Sequence, residues 1–292
     1  MKHAILILTL ITGAISCSDT KPRDYGLEMK LHASIFKVVS APLALNKNVV
    51  ESHLVLNDNN EKTLFFDYIG GALYNFSFND SSIIMATSEP KRFFYPIEIK
   101  DNLELMHTEN SSVYLSGYNN NQPILLSGAG RYSRVWNATP IIIGDEMTLL
   151  TECGNEIDQS DVALCISRLR INNDKTIDLL SRDGFSLPGG GNAWGQYVEE
   201  LDVSLILYGK IDETTRLWTI RAATLDNGVV TDKSDCFSIK SEYHLADPSL
   251  IEDDEGLHLT FSYNQKEVWY LRARAHTIKE LTESLISCAG GN

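Results

Sequence analysis

Ala246-Asp-Pro-Ser-Leu-Ile-Glu-Asp-Asp-Glu-Gly-Leu-His-Leu-Thr-Phe-Ser-Tyr263, continuing through Asn-Gln-Lys into Glu267-Val-Trp-Tyr-Leu-Arg-Ala273, reads as three short strands joined by tight turns. Asp247-Pro248 starts the first, because proline is tolerated at a strand's first residue. The acidic turn Glu252-Asp-Asp-Glu-Gly256 ends it. Leu257 to Tyr263 and Val268 to Leu271 alternate apolar and polar residues with period two, the pattern of half-buried strands. One sheet of three or four strands cannot bury both of its faces alone, so the fold depends on whether this unit recurs.

It recurs at low identity along the chain. A first copy holds His53-Leu-Val-Leu, an Asn/Asp turn, Thr63-Leu-Phe-Phe-Asp-Tyr, and Ala72-Leu-Tyr-Asn-Phe-Ser-Phe. A second runs from Tyr95-Pro-Ile-Glu-Ile to Val113-Tyr-Leu-Ser, and a third from Thr139-Pro-Ile-Ile-Ile to Val162-Ala-Leu-Cys-Ile. A fourth runs from Tyr197-Val-Glu-Glu-Leu to Arg216-Leu-Trp-Thr-Ile. Proline opens three copies, at Pro96, Pro140 and Pro248. A period of about 45 to 55 residues signals a propeller or an array. Only Thr277 to Leu285 has a helical period. The expected fold is therefore all-β: one five-bladed β-propeller over residues 28–288 around a central channel. The unpaired strand Lys30 to Val39 is expected to close the ring by joining the last blade, which removes exposed edges. A β-sandwich is the alternative, but two sheets rarely need about twenty strands.

The N-terminus sets the expected address. Met1-Lys-His precedes an apolar run of about twelve residues, too short to span a bilayer and typical of a signal peptide. Ala14-Ile-Ser-Cys17 resembles a bacterial lipobox. That resemblance implies a signal peptide over 1–16, lipidation of Cys17, a tether to residue 27, and a membrane-anchored lipoprotein of the bacterial cell envelope. Removing Cys17 leaves Cys153, Cys165, Cys236 and Cys288, an even number in an exported chain. Three pairings are possible. A hairpin bridge Cys153–Cys165 is natural, and Cys236–Cys288 would then tie down the chain's end. The net charge of −14 argues against nucleic acid, which needs a basic footprint, and against docking on anionic lipid. A monomer is expected, with a glycan or an envelope protein as partner.

Residues 246–253 followed by Leu-His-Leu-Thr-Phe-Ser-Tyr resemble a blade of the five-bladed propeller glycoside hydrolases of the arabinanase and β-xylosidase type. In that family Asp-Pro, apolar residues, a turn and a Tyr-Tyr-Leu-Phe-Tyr-Ser-like strand commonly open a blade. The likeness is strongest over 243–273, fair at 136–152 and 194–224, and weak before that. It implies that carboxylates from three blades meet at the channel mouth, as acid and base for glycosidic cleavage with a third acid tuning them.

Aligning the blades on their second strands places Ser52, Tyr95, Thr139, Gly195 or Gln196, and Asp247 at equivalent mouth positions, with Asp247 the only carboxylate among them. Glu51 and Glu199 are nearby acids that would complete a triad with Asp247, although the chain departs from the family pattern there. Leu187-Pro-Gly-Gly-Gly-Asn-Ala-Trp-Gly-Gln196 reads as a permissive glycine loop presenting Trp194 as a sugar platform, with Asn192 and Gln196 as hydrogen-bonding groups. Arg134, Trp136 and Asn137 enter the third blade in the same way. Packing between blades is the competing role for both tryptophans, whereas Trp218 and Trp269, mid-strand, are expected in the core. Tyr95, His53 and His244 complete the substrate-binding candidates, and the two histidines are expected to approach each other at the channel, as a base or metal ligands. No cysteine or histidine spacing matches a metal centre, the acidic turns match no calcium loop, and no cofactor is expected. The expected function is carbohydrate engagement at the mouth, as a hydrolase or a degenerate relative of one. A non-enzymatic envelope scaffold is the alternative.

Overall fold

The computed structural model describes residues 26–40, 43, 45, 49–56, 60–68, 72–87, 92–99, 102–125, 132–155 and 161–288. The expected signal peptide and Cys17 lie outside them. Two short strands lead, β1 (Glu28–Leu31) and β2 (Lys37–Ser40). Blade one is β3 (Val49–Leu56), β4 (Lys62–Tyr68), β5 (Leu73–Ser77) and β6 (Ile83–Thr87). Blade two is β7 (Arg92–Ile99), β8 (Asn102–Glu109) and β9 (Ser112–Leu115). Blade three is β10 (Arg134–Ile143), β11 (Glu146–Gly154), β12 (Ala163–Ile171) and β13 (Ile177–Pro188). Blade four is β14 (Gly190–Val198), β15 (Val203–Ile211), β16 (Trp218–Asp226), β17 (Val229–Asp232) and β18 (Phe237–Lys240). Blade five is β19 (Leu245–Asp253), β20 (Gly256–Tyr263) and β21 (Glu267–Arg274), and helix α1 (Ile278–Ser287) follows. These five sheets, joined by antiparallel hairpins, form a five-bladed β-propeller.

The N-terminal segment differs from the single closing strand expected. A 3-10 turn at His32–Ile35 breaks it in two. β1 pairs with β18 on blade four, and β2 pairs with β21 as the outer strand of blade five. Ala33 and Phe36, buried in the core shared by those blades, hold the break in place. Blade five meets blade one through Ser249, whose hydroxyl accepts from Leu54 N at 2.9 Å and donates to Leu54 O at 3.0 Å. At the far end of the same seam Lys62 pairs with buried Asp253, which also bonds His258 Nε2 at 2.7 Å. Asp253, Glu255 and His258 gather closely enough to hold a cation, but the Lys62 ammonium and the Arg272 guanidinium already supply the positive charge there.

The apolar faces of the strands stack blade on blade, and the largest shared core lies beneath blades four and five. Helix α1 completes it. Thr277 caps the helix with a reciprocal Glu280 bond, and Ile278, Leu281 and Leu285 face inward at helical spacing. Among the described residues no helix is long and apolar enough to cross a membrane.

Both disulfides form, Cys153–Cys165 within blade three and Cys236–Cys288 from blade four to the end of α1. The second encloses 52 residues against 12 for the first, so it restricts the unfolded chain more. Replacing both Cys236 and Cys288 by serine should lower stability by about 4 kcal/mol, against about 3 kcal/mol for the Cys153/Cys165 pair, read from denaturant midpoints. The reverse ranking would show that blade three, not the C-terminal tie, is the weaker element.

Candidate active site

The innermost strand of every blade carries one extra residue relative to its partner. The register slips between Val49 and Glu51, Arg92 and Tyr95, Trp136 and Thr139, Gly191 and Ala193, and Ala246 and Ser249. Such a β-bulge bends the strand and re-aims a side chain. In four blades the slip holds a non-glycine residue at positive φ: Phe93 (51°), Asn137 (46°), Asn192 (46°) and Asp247 (49°). Asn and Asp tolerate that conformation better than other side chains. The bulges therefore explain why Asn137, Asn192 and Asp247 line one narrow cleft with Glu51 and His53.

Two carboxylates, Glu51 and Asp247, line this cleft, and a third from another blade, Glu152, lies behind Asn137 and Asn192. Glu51, Glu152 and Asp247 are 4 %, 6 % and 7 % exposed. Glu51 accepts from Phe94 N at 3.2 Å, its own N–H donates to buried Asp67 at 3.0 Å, and Asp247 accepts from Ser262 at 2.8 Å. Asn137 Nδ2 donates to Glu152 at 2.9 Å and touches Asn192. With its amide nitrogen toward the acids, as their acceptor oxygens require, Asn192 donates to Asp247 Oδ1 at 3.1 Å and Glu152 Oε2 at 3.2 Å. One amide thus separates two carboxyl groups. Gly191 lets Glu152 in: a Cβ there would lie 2.7 Å from its carboxylate oxygen.

Burial disfavours charge on all three acids. It pushes Glu152 up to about 7 against the opposing bonds from Asn137 and Trp136. Burial raises Glu51 well above the usual carboxylate range, with a further rise from neighbouring Asp67. It raises Asp247 likewise, with Glu51 adding to it. His53 is 5 % exposed, and burial lowers it to about 4 although Asp247 and Asp67 pull the other way. Its Nε2 lies 3.7 Å from Glu51. At neutral pH these are a neutral imidazole and an acid that favours its proton, so the contact is not an ion pair. Among the described residues neither His53 nitrogen has a hydrogen-bond partner of ordinary geometry, and the ring is wedged edge-on against Phe94 and Tyr95.

Of the residues singled out in the sequence, Asp247, Glu51, His53 and Asn137 are brought together, and Tyr95 borders them with its hydroxyl raised by burial. Several expectations are corrected. Glu199 sits on an exposed 3-10 turn, Glu199–Leu201, after β14 has ended. Trp194 is 3 % exposed in the core of blades four and five, and Gln196 points outward. The reason is that residues 187–196 are not a loop. β13 passes into β14 through Gly189 alone, and the glycines permit close approach rather than mobility. His244 is away from His53, accepting from Trp218 N at 3.2 Å. Trp136 is half-buried against Val162, Ile211 and Trp218 and reaches the site only as a hydrogen-bond partner of Glu152. Arg134 opens β10 opposite Gly154, three residues before Asn137. Trp218 and Trp269 are buried in the core.

Alignment on second strands takes no account of the bulges: it brings Thr139 to the cleft, as observed, but sets Gly195 or Gln196 where Asn192 and Ala193 stand. It also ignored the second strands themselves. Glu152 pairs across from Trp136, Asp67 from Glu51 and Ser262 from Ala246. Their signal is a polar residue closing an otherwise apolar run, as in Leu149-Leu-Thr-Glu152 and Leu64-Phe-Phe-Asp67.

No protein-family model and no curated protein matches the sequence. Solved structures do match the fold. The endo-arabinase of Bacteroides thetaiotaomicron superposes with a TM-score of 0.52 at 13% identity, over 79% of this chain and 94% of that one. An α-L-arabinofuranosidase from Podospora anserina, solved with cellotriose, gives 0.54 at 12% over 80% and 94%. An endo-1,4-β-xylanase from Bacteroides thetaiotaomicron gives 0.51 at 11% over 80% and 92%. The likeness is one of fold. It spans nearly the whole of each of these structures.

Proton linkage gives a test of the cluster. An unfolded glutamate releases its proton near 4.5, whereas folded Glu152 keeps it to about 7. The stability that this proton lends is full below 4.5 and lost as pH rises through 7. Glu152→Gln removes the titration, so it should gain on wild type between about pH 5 and pH 8 by roughly 3 kcal/mol, measured by urea unfolding at both. A pH-independent difference would mean that Glu152 titrates normally.

Proposed function

We propose that this chain is a carbohydrate-active propeller that cleaves a glycosidic bond at its channel mouth. The observation that carries the reading is the burial of Glu51 and Asp247 in one cleft with Glu152 directly behind its asparagine wall, acids from three blades. Glycoside hydrolysis needs one carboxyl group that holds a proton at neutral pH and another that accepts one. Glu152, pushed to about 7 by burial, is the general acid: it protonates the glycosidic oxygen as the bond to the anomeric carbon breaks. Asp247 is the base in the ionisation state of the cluster in which it has lost its proton while Glu152 keeps one. Ser262 and Asn192 donate to that ionised form, which takes a proton from the water whose oxygen attacks that carbon. Glu51, beside His53, raises the proton affinity of Asp247, because the two acids resist ionising together. Asn137 and Asn192 present amide groups suited to sugar hydroxyls. The fold shared with arabinan- and xylan-active enzymes supports this reading without assigning a linkage.

A second reading has its own observation. The cleft as closed in this structure leaves no room for a water molecule, against the ~300–1,000 Å³ of typical small-molecule sites, and the two asparagines already occupy the acids. A propeller closed in that way would bind glycan or an envelope protein without cleaving it. We further propose export and anchoring through a lipidated Cys17. The two disulfides suit an oxidising compartment.

Hydrolysis of arabinan, xylan and aryl glycosides separates the two readings. Glu152→Gln should slow natural substrates at least about a hundredfold and aryl glycosides far less, since a good leaving group needs no acid. The alkaline limb of the wild-type profile should fall near pH 7. Asp247→Asn, which keeps a side chain tolerant of positive φ, should abolish both reactions. No cleavage of any glycan by the wild type would leave the binding reading. For the anchor, Cys17→Ser should release the chain from membranes and prevent palmitate labelling. Labelling unaffected by the change would exclude Cys17 as the lipidated residue.

A further inference from the structure

A second cavity lies at the other end of the blades. It is a groove of about 690 Å³ between blades three and four, within the size range of small-molecule sites. Its walls include Ile143 and Glu146, at the far end of the hairpin whose near end holds Asn137 and Glu152. Six residues of strand separate Asn137 from Ile143, which puts the groove on the order of 20 Å from the mouth. The mouth chemistry makes no use of it.

Two aromatic rings form its floor. Phe185 and Tyr197 each rest one edge on the apolar core between the blades and leave the other in the groove. An aromatic ring held this way loses little entropy when a ligand covers it. Polar groups stand around the rings in fixed positions. The Tyr197 hydroxyl donates to Asp202 at 2.7 Å, and Arg168 donates to Glu146 at 2.6 Å. Asn227 adds an amide on the blade-four wall. Planar rings flanked by carboxylate, guanidinium and amide groups match a sugar, which has an apolar ring face and a rim of hydroxyls that both donate and accept. The charge of the walls restricts the class. Asp202, Glu146 and Asp145 outnumber Arg168 and Arg170, the latter paired with Glu146 and Asp145, and the chain carries −14 overall, so a polyanion is repelled.

We propose that this groove is a second, non-catalytic binding site for a neutral oligosaccharide. It would hold a polymer on the molecule while the mouth acts on a chain end or branch. The proposal rests on the carbohydrate reading of the mouth, but the two can fail separately. The test is retention in affinity electrophoresis on soluble arabinoxylan and on debranched arabinan, with polygalacturonate as the acidic control. The proteins are wild type, Glu152→Gln, Tyr197→Ala, Phe185→Ala and Asp202→Ala, with folding checked by thermal melting. Tyr197→Ala and Phe185→Ala should weaken retention about tenfold or more, as loss of a central aromatic anchor does. Glu152→Gln should leave retention intact, and no protein should be retarded by polygalacturonate. Asp202→Ala, altered on an exposed turn, supplies the comparison if an aromatic variant does not fold, and it should also weaken retention. Unchanged retention in the groove variants, or none in wild type on either neutral polymer, would overturn the proposal. Retention lost in Glu152→Gln alone would also overturn it, while leaving the mouth reading in place.

Discussion

The structure depends on burying several acids side by side. Glu51, Glu152 and Asp247 share the mouth with Asp67 close behind Glu51. Each ionised carboxylate in such a place raises the cost of ionising the next, so the group as a whole retains protons at neutral pH. The protein tolerates the arrangement because each acid has a donor: the backbone of Phe94, the amides of Asn137 and Asn192, and the hydroxyl of Ser262. A cluster built only for stability would be better replaced by apolar side chains. Clustered groups whose protonation is moved toward neutrality are instead the raw material of acid–base chemistry.

The rest of the architecture serves that constraint. A propeller brings strands distant in sequence to one axis, and a bulge in each innermost strand turns a residue toward the cleft. The ring must then stay closed, since parting blades one and five would separate Glu51 from Asp247. Ser249 bonds both backbone groups of Leu54 across that seam, and the Lys62–Asp253 pair secures its far end. The N-terminal segment binds the edges of blades four and five, and the Cys236–Cys288 bridge ties the closing helix to blade four.

Much of this was legible in the sequence. The Asp247-Pro248 blade announced its repeat through alternation and turns, and Glu51 and His53 could be found because they open the first copy. The cysteine count left the pairing open among three choices, with the observed one the most natural. The site itself was only half legible. A bulge adds one residue that hydropathy does not mark, and a shift of one position along a strand moves every side chain to the other face. Trp194 accordingly packs in the core where a platform is expected, and Asn137 joins Thr139 on the cleft wall. Glu152 and Asp67 were hidden for a different reason: their partners are set by cross-strand register, which no local pattern in the chain reveals. Glu199 shows the converse error, an acid near the right strand in sequence but past its end in space.

The direct test is the titration of the acids themselves. Carboxyl-labelled glutamate and aspartate, followed by carbon NMR from about pH 3 to pH 9, report each side chain's protonation. Glu152 should titrate near 7, Glu51 and Asp247 should remain protonated above the usual carboxylate range, and Glu51→Gln should lower the Asp247 midpoint by removing a neighbouring charge. If all three lose their protons below about pH 5, as exposed carboxylates do, the mouth is not a shared proton site and the account fails.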